Sequence, residues 1–324
     1  MGAAGWIKSA LLGSVTATSP CAPVTPLTLQ RPEGPRHCLL GIPTAAPAGK
    51  RPLVIILHGA GASAEQVLGQ AFPPSPLSVW LEIAEREHVI IAAPDAGKGG
   101  WNECFASAAR VARKDDVALV GALIDHAVVA HGADEERVYV IGVSRGGWMA
   151  YRIAMEIPHR LAAFSAVLAS MPPRSHPMQP RAPLPALIVG GTADPLMPYG
   201  GGKYWYTLGF SNPVNSFDDS ARVWRELAGL PDTPDVTQLP GRHAWDKTRA
   251  TFTLWGEESG QLQVGLVRID GGGHAEPSAS RRYPDLINKL VGAQNADFDI
   301  AETAWDFFRD KRLARPAAQG LRSA

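Results

Sequence analysis

Gly142-Val143-Ser144-Arg145-Gly146 has the spacing G-x-S-x-G and sits between the apolar run Val138–Ile141 and a helical pattern that begins at Gly146. In that setting the pentapeptide is a nucleophile elbow: the serine occupies a tight strand-to-helix turn, and flanking glycines remove side chains that would clash. The turn presents the hydroxyl at the carboxyl edge of a sheet, above a helix N-terminus whose N–H groups favour a developing oxyanion. A serine hydroxyl is a weak nucleophile at neutral pH and needs a base, itself oriented by an acid. Asp194 follows the apolar run Ala186–Val189 and His274 follows Gly265–Ile269, so both are expected at the same strand ends as Ser144. The other histidines lie on helices, in another motif, or away from such a strand end. Asp270 is a rival acid, but it lies too close to the strand end that must present His274. Leu57-His58-Gly59-Ala60-Gly61 ends a further strand, and the N–H groups of Ala60 and Arg145 are the expected oxyanion donors, with His58 bracing the loop.

These residues need a sheet to align them. Short apolar runs at Cys38–Ile42, Leu53–Leu57, Val89–Ala92, Val138–Val143, Ala162–Ala169, Ala186–Val189 and Gly265–Ile269 read as strands buried on both faces. Helical patterns at 76–87, 115–131, 146–157, 217–229 and 297–313 separate them. The alternation predicts an α/β fold, a three-layer α/β/α sandwich with a mostly parallel sheet, over residues 36–315. Residues 1–35 read as a flexible arm and 316–324 as a disordered tail. Residues 195–255 read as a lid or a decorated connection, because they are longer than a simple crossover and rich in aromatic residues. Tyr199 and Trp205 in that stretch, with Trp148 beside the elbow, are expected to wall the substrate and favour extended or aromatic groups. Arg145 is expected to pair with Asp115 or Asp116, or with a carboxylate on the substrate.

Composition narrows the partners. Of 324 residues, 45% are apolar and 19% charged, which suits a globular chain rather than a charge-rich disordered one. Lysine plus arginine equal aspartate plus glutamate at 31 each, so no global field attracts nucleic acid or an anionic membrane; the expected partner is a small or polymeric uncharged substrate. No apolar run approaches the roughly 20 residues of a membrane-spanning helix. Cys21, Cys38 and Cys104 show neither metal-ligand nor redox spacing and are expected as free thiols. No metal or organic cofactor is expected, and oligomeric state stays open. The weak apolar stretch after Lys8 is poorer than a signal peptide, so the cytoplasm is favoured over export.

The strings LVIILHGAG, PDAGKGGWNECF, DDVALVGALID, VYVIGVSRGGWMA, GGTADPLMPYGGG, GGGHAEP and FDIAETAWDFF, in that order across residues 36–310, resemble the esterases grouped with poly(3-hydroxybutyrate) depolymerases. Relatives of that group include feruloyl and acetylxylan esterases, on the α/β-hydrolase fold. The resemblance implies a serine esterase with Ser144, Asp194 and His274 as its triad, and Trp101 beside the site. Two positions depart from the pattern: Arg145 follows the serine where a small or apolar residue is commoner, and Ala275 follows His274 where Thr-Trp is usual. A peptidase of the same fold and a catalytically silent binding protein on a hydrolase scaffold are the alternative readings.

Overall fold

The computed structural model describes residues 20–313 except 46, 107–113, 204, 207–208, 211–212 and 258–259, together with residues 8 and 10. An antiparallel pair, β1 (Val24–Arg31) and β2 (Gly34–Gly41), leads into β3 (Arg51–Leu57), a short α1 (Ala64–Val67), α2 (Trp80–Glu87) and β4 (Ile90–Pro94). Next come α3 (Asp116–His131), β5 (Ala133–Val143), α4 (Arg145–Glu156), β6 (Ala163–Val167) and β7 (Ala186–Gly191). The remainder comprises the small pair β8 (Trp205–Tyr206) and β9 (Gly209–Phe210), α5 (Phe217–Leu227), β10 (Asp235–Gln238), β11 (Arg249–Trp255), β12 (Val264–Asp270), α6 (Asp285–Val291) and α7 (Ile300–Phe308).

Ten strands form one sheet in the order β1-β2-β4-β3-β5-β6-β7-β12-β11-β10. The central run from β4 to β12 is parallel throughout, and antiparallel strands close both edges. Parallel strands need both faces covered. On one face, Leu53, Ile55, Val140, Phe164 and Ile188 pack with Leu123 of α3, Met149 of α4 and Trp224 of α5. On the other, Val54, Ile56, Tyr139, Ile141 and Val189 pack with Trp80 of α2 and Trp305 and Phe308 of α7. This is the three-layer α/β/α sandwich, and the near-continuous apolar strands are its middle layer. Helix starts follow local chemistry: the Asp115 carboxylate accepts from the Ala118 N–H at 2.9 Å, the Ser216 hydroxyl accepts from the Asp219 N–H at 2.9 Å, and Gly132 ends α3 at φ +67°.

One organisational expectation changes. The arm expected through residue 35 contains β1, paired to β2 along its whole length. Its polar, threonine- and proline-bearing composition is that of an edge strand with mostly exposed or half-buried side chains, held by backbone bonds rather than by an apolar run. Within 195–255, α5 packs on the sheet and β10 and β11 extend it, so those parts are framework. β11 alternates half-buried and buried positions, the period of a strand covered on one face, and so lacks the continuous apolar run of the central strands. The expected tail lies outside the described residues. Among the described residues no disulfide joins the three cysteines; Cys21 is exposed and the others are buried, and burial pushes the Cys38 thiol up to about 12. Among the described residues no helix is long and apolar enough to cross a membrane.

Lys311, just past α7, is only 3% exposed, with its ammonium 5.4 Å from the Phe307 ring centre. Burial pulls its pKa from 10.5 down to about 8, so folding disfavours the charged form. That penalty is fully present below pH 8 and disappears as the pH rises towards 10.5. Lys311→Met is therefore expected to stabilise the fold by about 3 kcal/mol at pH 7 and by little near pH 10. Denaturant melts at the two pH values check this, and an equal gain at both would contradict it.

Candidate active site

The elbow forms because two glycines let backbones touch. A Cβ on Gly142 would lie 2.1 Å from the Gly146 carbonyl oxygen, and one on Gly146 would lie 2.1 Å from the Leu57 carbonyl oxygen. Between them Ser144 adopts φ +54° and ψ −118°, a strained conformation for a non-glycine residue. Its N–H donates to the Val167 carbonyl at 2.8 Å, and its own carbonyl accepts from the Trp148 N–H at 3.1 Å. The turn is thus tied to β6 on one side and to the first turn of α4 on the other.

β7 and β12 are adjacent and parallel, so the loops beyond their carboxyl ends meet. The Ala193 N–H donates to the Gly272 carbonyl, the Gly271 N–H to the Thr192 hydroxyl, and the His274 N–H to the Val291 carbonyl. His274 Nδ1 lies 2.7 Å from Asp194 Oδ2, and Nε2 lies 2.9 Å from Ser144 Oγ. The other carboxylate oxygen of Asp194 accepts from the N–H groups of Leu196 and Met197 at 2.7 and 2.8 Å. An acceptor at Nδ1 places the ring proton there and leaves the Nε2 lone pair facing the serine hydroxyl. The Asp194 side chain is fully buried, so the hydrogen bonds act where water does not compete. Asp270, the rival acid, pairs with Arg268 at 2.8 Å on the surface.

The loop after β3 closes the other side. A Cβ on Gly59 would lie 3.6 Å from Ser144 Cβ, and Ala60 is exposed to the cleft beside it. His58 is buried; its Nε2 accepts from the Ala96 N–H at 3.0 Å, and its Nδ1 lies 2.8 Å from the Gly59 carbonyl. Trp101, expected beside the substrate, is 1% exposed and does not line the cleft. Its indole N–H donates to the His58 carbonyl at 2.8 Å and its ring packs on the imidazole, so it braces the loop from behind.

Arg145 pairs with Glu103 at 2.7 Å, not with Asp115 or Asp116. Asp116 is already held by Arg36 and by the Asn102 N–H, both at 2.6 Å, and Asp115 caps α3. The cleft over Ser144 has a volume of about 540 Å³. Val143, Leu196, Met197, Val291, Ala60 and Ala62 make most of its wall, with Trp148 and Arg145 on one flank and Gln66, Glu276 and Tyr283 among its polar members. Trp148 is thus at the cleft as expected, its indole N–H spent on the Ser170 carbonyl. Tyr199 is elsewhere: it stacks on Phe217 and donates to Asp218, which draws it onto α5. Trp205 sits in β8, and its side chain lies outside the described residues. Glu276 is among the cleft residues that sequence reasoning missed, with Gln66 and Tyr283, although it stands within the stretch after His274 that departs from the resembled pattern. Burial pushes its carboxyl up from the ordinary glutamate range. Among the described residues no three His, Cys, Asp or Glu side chains converge as metal ligands.

A model of the alpha/beta hydrolase family matches residues 54–309. The chain belongs to the alpha/beta hydrolase family. Within it, the chain is similar to NocK of Nocardia uniformis subsp. tsuyamanensis, for which an esterase activity is inferred, with 29% identity over 84% of this chain and 77% of that one. It is 25% identical to feruloyl esterase B of Piromyces equi over 69% of this chain, and spans only 40% of that relative's length. The solved acetyl xylan esterase of Aspergillus awamori superposes with a TM-score of 0.53 at 15% identity, covering 83% of this chain and 98% of that one, a likeness of fold.

The elbow geometry gives a paired prediction. Gly146→Ala drives a methyl into the Leu57 carbonyl and is expected to cost about 1–3 kcal/mol or more, whereas Gly121→Ala, inside α3 with open space at its Cβ, is expected to stabilise by about 0.5–1 kcal/mol. Thermal melts of the two variants check the contrast.

Proposed function

We propose that this carboxylic ester hydrolase works through an acyl-enzyme on Ser144, and the observation that supports it most is the hydrogen-bonded series Ser144–His274–Asp194 opening onto an apolar cleft. His274 Nε2 takes the hydroxyl proton as Ser144 Oγ bonds to the ester carbonyl carbon, and the N–H groups of Ala60 and Arg145 hold the resulting oxyanion. Collapse breaks the carbon–oxygen bond to the alcohol, which leaves with the proton returned by the imidazolium. Water, deprotonated by the same nitrogen, then attacks the acyl carbon, the carboxylic acid departs and Ser144 regains its proton. Asp194 keeps the ring in the tautomer that accepts at Nε2 and stabilises the imidazolium in both halves.

The cleft lining favours an aliphatic acyl or alkyl group over the aromatic wall expected from composition, because Trp101 and Tyr199 serve the framework instead. Hydroxyalkanoate oligomers and feruloyl or acetyl carbohydrate esters remain the substrate classes suggested by the resemblance and the relatives.

Ser144→Ala is expected to remove turnover of a p-nitrophenyl ester with the fold intact, and Asp194→Asn to lower kcat by about 10⁴-fold through the wrong ring tautomer. Asp270→Asn is expected to leave kcat within about twofold, since a surface carboxylate paired only to arginine contributes little. Steady-state kinetics on the three variants decide; Asp270→Asn being the more damaging acid change would overturn the assignment of Asp194.

A further inference from the structure

The polar end of the cleft holds a carboxyl group that the reaction does not use. Glu276 lines the wall yet is 5% exposed. Its Oε1 accepts from the Ser75 hydroxyl at 3.0 Å and the Tyr283 hydroxyl at 3.1 Å, and Oε2 accepts from that same Tyr283 hydroxyl at 3.0 Å. Ser75 Oγ meanwhile accepts from the Leu77 N–H, which leaves its proton free for Glu276. One tyrosine proton is therefore shared between two carboxylate oxygens, and with the residue's own backbone N–H as a further donor, these hydrogen-bonding partners are all neutral.

Buried glutamates are nearly always paired with a cation, because neutral hydroxyls do not offset the cost of desolvating a full charge. Among the described residues no lysine or arginine pairs with Glu276. The titratable base beside it is His274, whose ring nitrogens are committed to Asp194 and Ser144. Arg145, the other charged side chain on the cleft, is neutralised by Glu103. Burial pushes the Glu276 carboxyl up from the ordinary glutamate range, and a cation beside it would favour the ionised form. Tyr283, on the same wall, adds an aromatic surface of the kind that attracts ammonium groups.

We propose that Glu276 is a specificity residue that selects esters bearing a positively charged ammonium group, which it pairs at the Tyr283 side of the cleft. The proposal rests on the reading of Ser144 as nucleophile and adds a substrate class to it. Two isosteric pairs, differing only in nitrogen against carbon, test it on either side of the scissile bond. On the acyl side these are p-nitrophenyl 4-(trimethylammonio)butyrate and p-nitrophenyl 5,5-dimethylhexanoate; on the alcohol side they are butyrylcholine and 3,3-dimethylbutyl butyrate. In one pair the cationic ester is expected to have a kcat/KM about tenfold or more above its neutral isostere, chiefly through KM. Glu276→Gln, which keeps the shape and polar character, is expected to bring that ratio to about one. A native chain that treats both pairs alike or prefers the neutral esters would overturn the proposal, as would a ratio that survives in Glu276→Gln while both rates fall together. Calorimetric binding of the same esters to the Ser144→Ala chain separates the two readings. Selective binding of the cationic ester without turnover by the native chain would sink the nucleophile and keep Glu276, and turnover without charge discrimination would do the reverse.

Discussion

The contact on which the site depends is the approach of the α4 backbone at Gly146 to the carbonyl end of β3, where even a methyl group would lie about 2.1 Å from the Leu57 oxygen. That contact sets the angle at which the chain leaves β5 for α4, and so forces Ser144 into its positive φ. It also seats the loop of His58, Gly59 and Ala60 against the serine, so one close approach positions the hydroxyl and the neighbouring N–H groups together. The strain at Ser144 is stored in a turn tied to β6 and α4, whose cores are among the most buried parts of the molecule.

A second layer of polar contacts keeps the site from relaxing. Asp194 receives two backbone N–H groups on one oxygen, which leaves the other to face His274. Trp101 and Ala96 hold His58 from behind, and Lys114 reaches the carbonyls of Ala96 and Gly100 in the same loop. The cations near Ser144 are thus mostly spent on the framework: Lys114 on carbonyls and Arg145 on Glu103. The cleft is walled mostly by aliphatic residues and also carries the buried Glu276, so a carboxyl that the reaction does not use stands beside the chemistry at the serine.

The central strands and the meeting of Ser144, Asp194 and His274 were legible in the sequence because each of these residues stands at or shortly beyond the end of an apolar run, and parallel strands place such ends on one edge. The edge strands were not. β1 and β11 keep one side half-buried or exposed, so their side chains alternate or turn polar, and backbone pairing that no local pattern records holds them in place. Partners set by distant loops were equally hidden: Glu103 claims Arg145 because Asp116 is already occupied by Arg36 and Asn102. Aromatic content near the site was a poor guide to lining: Trp101 is drawn behind His58, where its indole N–H meets a carbonyl, rather than into the cleft. Glu276 and Tyr283 reach the cleft through the loop after β12, where neither helical nor strand period applies.

The central claim, that Ser144 is a nucleophile activated through His274, is tested most directly by reaction with an alkyl fluorophosphonate followed by peptide mass spectrometry. Attack by Oγ on phosphorus expels fluoride and leaves a stable phosphonyl serine. The account predicts one adduct per chain, carried on the peptide containing Ser144, and no labelling once His274 is replaced by alanine. An adduct on any other residue, or a native chain that the reagent does not label, would contradict it.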